Sequence, residues 1–584
     1  IMSQAEQLIT KNLDIWSSAI KKRGSQGRGS SKKIELYGIK KLRELILELA
    51  VRGVLVPQDS KEEPASVLID KITTEKIQLV KDKKIKKQKA LPEIRADEEP
   101  FELPKNWKWS RLGVVCKKVT DGSHNPPRNA GEGYPMLSSQ NVNYERIDFS
   151  SPSRFVTEDD FIREDKRTSI KPNDVLLNIV ASIGRSAVVP SDAPKFVLQR
   201  SVAVLDSLLD SHYFAKLLVS PVCLGYYNAH AKGTAQKGIY LGKLSLMPLA
   251  VPPEAEQVRI NAKVNELMAL CDQLEQQQEN SISAHQTLVE TLLVALTNAG
   301  EKGEFNQAWT RIAEHFDTLF TTVQSIDQLK QTILQLAVMG KLVPQDPNDE
   351  PASELLKRIA AEKEQLIKDK KIKKQKPLPE ITDEEKPFEL PRGWGWCRFG
   401  QVAVSRLGKM LDKAKNTGEL LPYLRNTNVQ WNRIELDDIK LMRIEASEIE
   451  ELLLRKGDLL ICEGGHPGRC AIWLDETQQM FFQKALHRAR PLGGVLPEYL
   501  QYVLTIDAAT NRLDKYFTGA TIKHFVGARL NCYVIPVPPV EEQARLITKA
   551  DELMVTCDKL KAQIIETQTN KFRLADALVS NALN

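Results

Sequence analysis

Residues 49–72, LAVRGVLVPQDSKEEPASVLIDKI, return at 336–359 as LAVMGKLVPQDPNDEPASELLKRI. The register holds through a basic run, KDKKIKKQK at 81–89 and 368–376. It continues through PFELPKNWKWSRLG ending at Gly113 and PFELPRGWGWCRFG ending at Gly400. Roughly two-thirds of about 65 positions are identical, far more than a solvated linker would keep, so one surface is present twice. A second pair of matches closes each copy: VPPEAEQVRINAKVNELMALCDQLEQQ from Val251 and VPPVEEQARLITKADELMVTCDKLKAQ from Val537. Between these frames lie two segments of nearly equal length, 114–250 and 401–536, whose sequences have diverged.

The diverged segments keep a common skeleton. YPMLSSQNVNYERI near 134 aligns with PYLRNTNVQWNRI near 422, and KPNDVLLNIVASIGRSAVV near 171 with RKGDLLICEGGHPGRCAIW near 455. GTAQKGIYLGKL from Gly233 aligns with GATIKHFVGARL from Gly519. Short β-rich runs broken by Gly, Pro and Asn predict mixed α/β domains whose specificity sits on loops.

After each VPP the period becomes helical. Val264, Leu267, Cys271 and Leu274 are spaced 3, 4, 3, and Ala550, Leu553, Cys557, Leu560 and Ile564 repeat this with one further step of 4. That spacing predicts a coiled-coil seam, with Pro252, Pro253, Pro538 and Pro539 at the helix starts. Two amphipathic helices, each packed on its own domain, would show the same spacing. Leu329, Ile333 and Leu336 have counterparts in Leu42, Leu45, Ile46 and Leu49. The start of the chain therefore supplies the element that should follow the second long helix, giving a circular, pseudo-two-fold order.

The expected fold class is α/β: two mixed α/β domains separated by an antiparallel coiled coil of long helices. The segments are an N-terminal helical stretch (1–48) with a flexible basic loop at 24–33, the first constant repeat and linker (49–113), and the first variable domain (114–250). A spacer helix (251–299), a connector helix (300–335), the second repeat and linker (336–400), the second variable domain (401–536) and the second spacer helix (537–584) follow.

With 584 residues the chain exceeds one ordinary core. Its 42% hydrophobic and 27% charged residues include no run near the roughly 18–20 apolar residues of a membrane span, so no membrane insertion is expected. IMSQAEQLITKNLDIW lacks the pattern of a secretory signal, and the eight cysteines show no framework spacing, which predicts a cytoplasmic protein with free thiols. Ile1 before Met2 is either native or a start artefact. The net charge of +6 does not by itself announce a nucleic-acid binder, but the two lysine-rich runs attract phosphate. Solvated linker faces would look the same.

LAVxGxLVPQD, FELPxxWxW, the Gly-Thr or Gly-Ala turn before PVPPxEEQxRI and the duplication itself resemble, in combination and over nearly the whole chain, the specificity subunits of Type I restriction-modification enzymes. The long KDKKIKKQK and PFELP regions are similar to the subset with extended constant regions. The resemblance implies a non-catalytic protein in which each variable segment is a target-recognition domain reading one half of a bipartite, asymmetric double-stranded DNA site. It further implies two modification (methyltransferase) subunits docked on the repeated surfaces and two restriction subunits joining them. S-adenosylmethionine would belong to the former, ATP and Mg²⁺ to the latter, and no cofactor or metal to this chain. A helix of roughly 40 residues spans about 60 Å, ample to set half-site centres roughly 34 Å apart.

Rival readings rest on single motifs. Asn125, Pro126, Pro127 and Arg128 are similar to the Asn-Pro-Pro-aromatic motif of adenine-specific DNA methyltransferases, but Arg128 holds the aromatic place and no glycine-rich donor loop accompanies it. Asp148 with Glu164, Asp165 and Lys166 is a loose nuclease-like set, and no P-loop is present. Cys462, His466 and Cys470 offer three zinc-type ligands where the first copy has Asn178, Ser182 and Ser186, so turn residues fit better. A two-domain adaptor binding only proteins would share the duplicated surfaces.

Candidates for DNA contact in the first domain are Asp121, Ser123, His124, Asn125 and Arg128 on the loop TDGSHNPPRN, then Ser138, Gln140, Asn141, Arg185, Gln199, Arg200, Gln236 and Lys237. In the second they are Lys409, Lys413, Lys415, Arg425, Asn426, Asn428, Arg469, Gln483, Lys484, Thr521, Lys523 and His524. Amides pair with adenine, arginine with guanine, and cations with phosphate. Trp107, Trp109, Trp394 and Trp396 belong to the constant frames and are expected to pack cores.

Overall fold

A computed structural model describes residues 4–22, 34–85, 87–233, 236–412 and 416–583. The basic loop at 24–33, Ile1, and the candidates Lys413 and Lys415 lie outside the described residues. The chain divides into two compact units, Ile1–Ile282 with Glu566–Asn584, and Ser283–Ile565.

In the first unit the diverged segment builds a four-stranded antiparallel sheet in the order Ser186–Val188, Val175–Asn178, Val202–Ser207, Cys116–Asp121. A three-stranded sheet accompanies it, in the order Val197–Leu198, Tyr134–Leu137, Arg154–Val156. The second unit repeats both sheets. Ala403–Leu407, Leu486–Pro491, Leu459–Cys462 and Cys470–Ile472 form the larger, and Lys440–Ile444, Glu419–Leu424 and Phe481–Phe482 the smaller. The central strands Val175–Asn178 and Leu459–Cys462 are buried along their whole length, which explains why they read as continuous apolar runs rather than alternating ones. The α/β class and the two-domain layout are as the sequence indicates.

The repeated frame closes each diverged domain at its neck. Lys108–Arg111 pairs antiparallel with Pro248–Val251, and Gly395–Arg398 with Val534–Val537, so chain entry and exit lie side by side. One arginine staples each neck. The Arg111 guanidinium donates to both oxygens of Glu98 at 2.8 and 2.7 Å and to the carbonyls of Leu246, Glu93 and Pro92; Arg398 does the same with Glu385, Cys532, Glu380 and Pro379. Such two-pronged pairing holds the Glu98 carboxyl down at about 2.

Gly53 and Gly340 end the helices Tyr37–Val51 and Val323–Val338 at φ +71° and +69°. A Cβ at either place would meet a proline ring and the Trp107 or Trp394 indole within 3 Å, which accounts for the glycine of LAVxGxLVPQD.

The tryptophans do pack. The Trp107 indole donates to Glu256 Oε2 at 3.0 Å while Gln58 donates to Oε1, and Trp394 and Gln345 hold Glu542 in the same way. Both carboxylates are 1% exposed, and burial pushes their pKa up. Trp107→Phe or Trp394→Phe would leave a buried carboxylate short of one donor. Each substitution is expected to cost about 1–3 kcal/mol, by nearly the same amount, in urea unfolding. A cost below roughly 0.5 kcal/mol, within the usual spread for a surface position, would contradict this contact.

The helix Glu254–Asn298 contributes residues through Ile282 to the first unit and the remainder to the second, and Val540–Leu583 passes the other way after Ile565. In the first unit Val264, Leu267 and Cys271 are buried with Leu42, Leu45 and Ile46 and with Ala575, and Arg43 pairs with Asp272 and Glu275. In the second, Ala550 and Cys557 are buried with Ile326, Leu329 and Ile333 and with Val289 and Leu293, while Lys330 pairs with Asp558 and Lys561 with Asp327. The apolar seams are thus core elements of their units, each facing a shorter helix as well. The tail of each long helix is also held by a side chain that follows the shorter helix. Arg52 donates to the Leu583 carbonyl at 3.4 Å and Lys341 to the Thr297 carbonyl at 2.8 Å, and the Tyr37 hydroxyl donates to Asp576 at 2.7 Å.

Candidate nucleic-acid interface

Gly122 and Gly408 set the geometry of the edge where the candidates gather. A Cβ on Gly122 would lie 2.2 Å from the Leu198 carbonyl oxygen, and one on Gly408 2.4 Å from that of Phe482. Only glycine lets the strand end come this close. The next residues then bridge in parallel, Ser123 with Gln199 and Lys409 with Gln483.

Backbone hydrogen bonds tie the remaining segments to this edge. In the first domain Gln199 N donates to Leu137 O, Arg200 N to Ser123 O, Ile179 N to Ser201 O, and Ala181 N to Lys237 O. In the second, Gln483 N donates to Leu424 O, Lys484 N to Lys409 O, Glu463 N to Ala485 O, and Phe525 N to Glu463 O. Segments far apart in sequence that carry the described candidates therefore converge on one edge of each domain.

Six candidates at this edge are buried and taken up by the fold. Asn141 accepts from Ser138 N at 2.9 Å and donates to the carbonyls of Asp148 and Ser151. Asn428 does the same with Arg425 N, Glu435 O and Asp438 O. Ser123 and Ser138 are buried. Asp121 pairs with Arg167 at 2.5 Å and with His124 at 2.9 Å. Lys409, a cation expected to face phosphate, is instead ion-paired with Glu445 and Glu448, and it helps hold the Glu445 carboxyl down at about 2.

The half-buried candidates are positioned by neighbours. Arg185 donates to Asn143 at 2.8 Å and Arg469 to Gln430 at 3.2 Å, an equivalent pair; Arg425 pairs with Asp438, and Gln199 donates to Ser153. Asn426 donates to Gly464 O, and His524 meets Glu463 at 3.1 Å. Gln483 is half-buried as well. His124, Asn125, Arg128, Gln140, Arg200, Gln236 and Lys237 are exposed in the first domain, as are Lys484, Thr521 and Lys523 in the second. Lys523 pairs with Asp514. Arg128, Arg200, Lys237 and Lys484 make no ion pair with another described residue.

Residue-type reasoning passed over the exposed rings Tyr144 and Trp431, at equivalent hairpin positions, and the exposed apolar Met410, Leu411 and Ile522. Strict alignment of the two copies finds all five.

His487 sits behind this edge, 1% exposed, with Nε2 2.7 Å from the Phe525 carbonyl; the first copy has Ala203 in the same register. Burial pushes its pKa below the usual value. A depressed folded pKa means that the unfolded chain takes the proton more readily, so His487 favours folding above about pH 6.5 and this contribution fades as pH falls below it. In urea unfolding, stability should drop between pH 7.5 and 5.5, and His487→Gln should flatten that slope. An unaltered slope would rule His487 out as its source.

Among the described residues neither the nuclease-like set nor the zinc-type set comes together as a group that could hold a metal ion. Asp148 is bonded to the hydroxyls of Ser150 and Ser151 on a loop, while Glu164 to Lys166 lie on the helix Glu158–Thr168. Cys462 and Cys470 are buried in the sheet, and His466 is exposed at a turn. Among the described residues no helix is long and apolar enough to cross a membrane.

Residues 104–284 and 391–568 each match the family described as Type I restriction modification DNA specificity domain. The chain belongs to the Type I restriction-modification specificity subunits. It is 40% identical to the EcoAI specificity subunit of Escherichia coli over 600 residues, covering 99% of this chain and all of that one. It is 38% identical to the EcoEI specificity subunit of the same species with equal coverage. The HsdS subunit structure from Thermoanaerobacter tengcongensis aligns with 83% of this chain and 98% of that one at 18% identity and a TM-score of 0.38. Both family matches begin within the constant frame, so the paired neck strands and the converging edges fall inside the segments by which this specificity subunit is recognised, while the residues that Arg111 and Arg398 hold at 92–98 and 379–385 lie before them.

Proposed function

We propose that each diverged domain of this specificity subunit reads one half of an asymmetric, bipartite double-stranded DNA site through the edge where its candidates converge. The subunit is non-catalytic, and the duplicated frame docks two modification subunits, which two restriction subunits join. The single observation that carries the reading is the convergence itself: the same edge in both units, with different exposed side chains. Equal frames suit identical partners, and unequal edges suit unequal half-sites. S-adenosylmethionine, ATP and Mg²⁺ then act in the partners, and the complex works in the cytoplasm. The two long helices run antiparallel as a coiled-coil spacer in a pseudo-two-fold arrangement.

Co-expression with a modification subunit, followed by mapping of methylated adenines, tests this. The expected result is one bipartite site with two unlike halves; a protein-only adaptor would yield no methylation pattern and no salt-dependent DNA binding. The unpaired cations give a finer measure. Lys237→Ala or Lys484→Ala should weaken binding to all sequences alike and reduce the slope of log affinity against log salt by about 1. An unaltered slope would remove that residue from the phosphate contacts.

A further inference from the structure

The two edges differ in one chemical respect. Because Ser123 and Lys409 occupy the same bridge position, His124 and Asn125 of the first domain correspond to Met410 and Leu411 of the second. The hairpins closed by Lys232 with Gly238 and by Thr518 with His524 likewise match Gln236 with Ile522. Three polar residues are thus replaced by three large aliphatic ones, 63%, 48% and 66% exposed. Water penalises such exposure, and the surroundings are polar: Lys484 and Lys523 flank the three residues on the same edge.

We infer that Met410, Leu411 and Ile522 read thymine in the second half-site by covering its 5-methyl group. The inference rests on the DNA-reading function proposed above. In the major groove the 5-methyl of thymine is the apolar mark on an otherwise polar row of base edges, so aliphatic side chains on a reading edge select it. A docking patch for a protein is the competing occupant. Two identical partners would need that patch in both copies, and the first copy is polar at all three positions.

The test uses the complex assembled with modification subunits and a duplex carrying the mapped site. Exchange of residues 401–536 identifies the half-site belonging to the second domain. Its thymines are then replaced by deoxyuridine, which pairs identically but lacks the methyl. Wild type should bind about fourfold more weakly per thymine contacted, the equivalent of roughly 0.8 kcal/mol per buried carbon. The triple variant Met410→His, Leu411→Asn, Ile522→Gln, which carries the first domain's residues at these positions, should bind thymine and deoxyuridine duplexes equally. In the other half-site, replacement should affect variant and wild type alike.

Equal wild-type affinity for both duplexes, with the intact site still preferred over shuffled DNA, would overturn the inference and leave the DNA-reading function standing. Loss of all preference for the intact site by wild type would instead sink the underlying function, and the inference with it.

Discussion

Exchanging residues 401–536 for the corresponding segment of a relative with a different target should replace one half of the methylated site and leave the other untouched. The structure gives the reason at the neck. The ribbon of Gly395–Arg398 with Val534–Val537 is held by backbone hydrogen bonds, which make no demand on side-chain identity. The Arg398 staple reaches Glu385 and the carbonyls of Pro379 and Glu380 outside the exchanged segment, and only a backbone carbonyl, that of Cys532, inside it. A foreign domain therefore meets the same closure. The effect on recognition should be large, because specific sites are typically bound about 10³- to 10⁷-fold more tightly than non-specific ones. Methylation mapping decides it, and alteration of both halves would refute the assignment of one domain to one half.

The second large effect concerns spacing. Four residues inserted into both long helices where they pass between units, after Ile282 and after Ile565, should lengthen the proposed spacer by about 6 Å at roughly 1.5 Å per residue. Four residues also complete about one helical turn, so each domain nearly recovers its facing. On DNA, at about 3.4 Å per base pair along a strand, the unmethylated gap should grow by one or two pairs between unchanged halves. These points lie beyond Glu275 and Asp558, whose pairs with Arg43 and Lys330 fix the helices within their units. Insertion in one helix alone should put the two out of step and abolish methylation. An unchanged gap with normal activity would mean that these helices do not set it.

The duplication and the long helices were legible because each leaves a pattern in local sequence: a constant offset, a change of period, a Pro-Pro start. What the seams pack against was less so, since Arg43 and Asp272 are brought together only by the fold. The converging edge was legible as a set of segments but not residue by residue. Lys409 looked like a phosphate contact, and nothing in its neighbourhood announced that Glu445 and Glu448 would capture it. Asn141 and Asn428 carried a usable signal that residue type alone obscured. A side chain kept in both copies of a segment that has otherwise diverged serves what the copies share, which is the turn. Met410, Leu411 and Ile522 went unseen for the opposite reason, because reading by type seeks polar groups on DNA-facing loops.

The first unit is completed by residues 566–584, whereas the second is one unbroken stretch. A ribosome delivers the chain in order, so every residue of the second unit has been made before the segment that carries Ala575, Asp576 and Leu583 is available to the helix Tyr37–Val51. The half synthesised first therefore waits with that helix face uncovered until translation has passed through the half synthesised second. Chains released after residue 565 should hold a protease-resistant second unit and a first unit still open to cleavage.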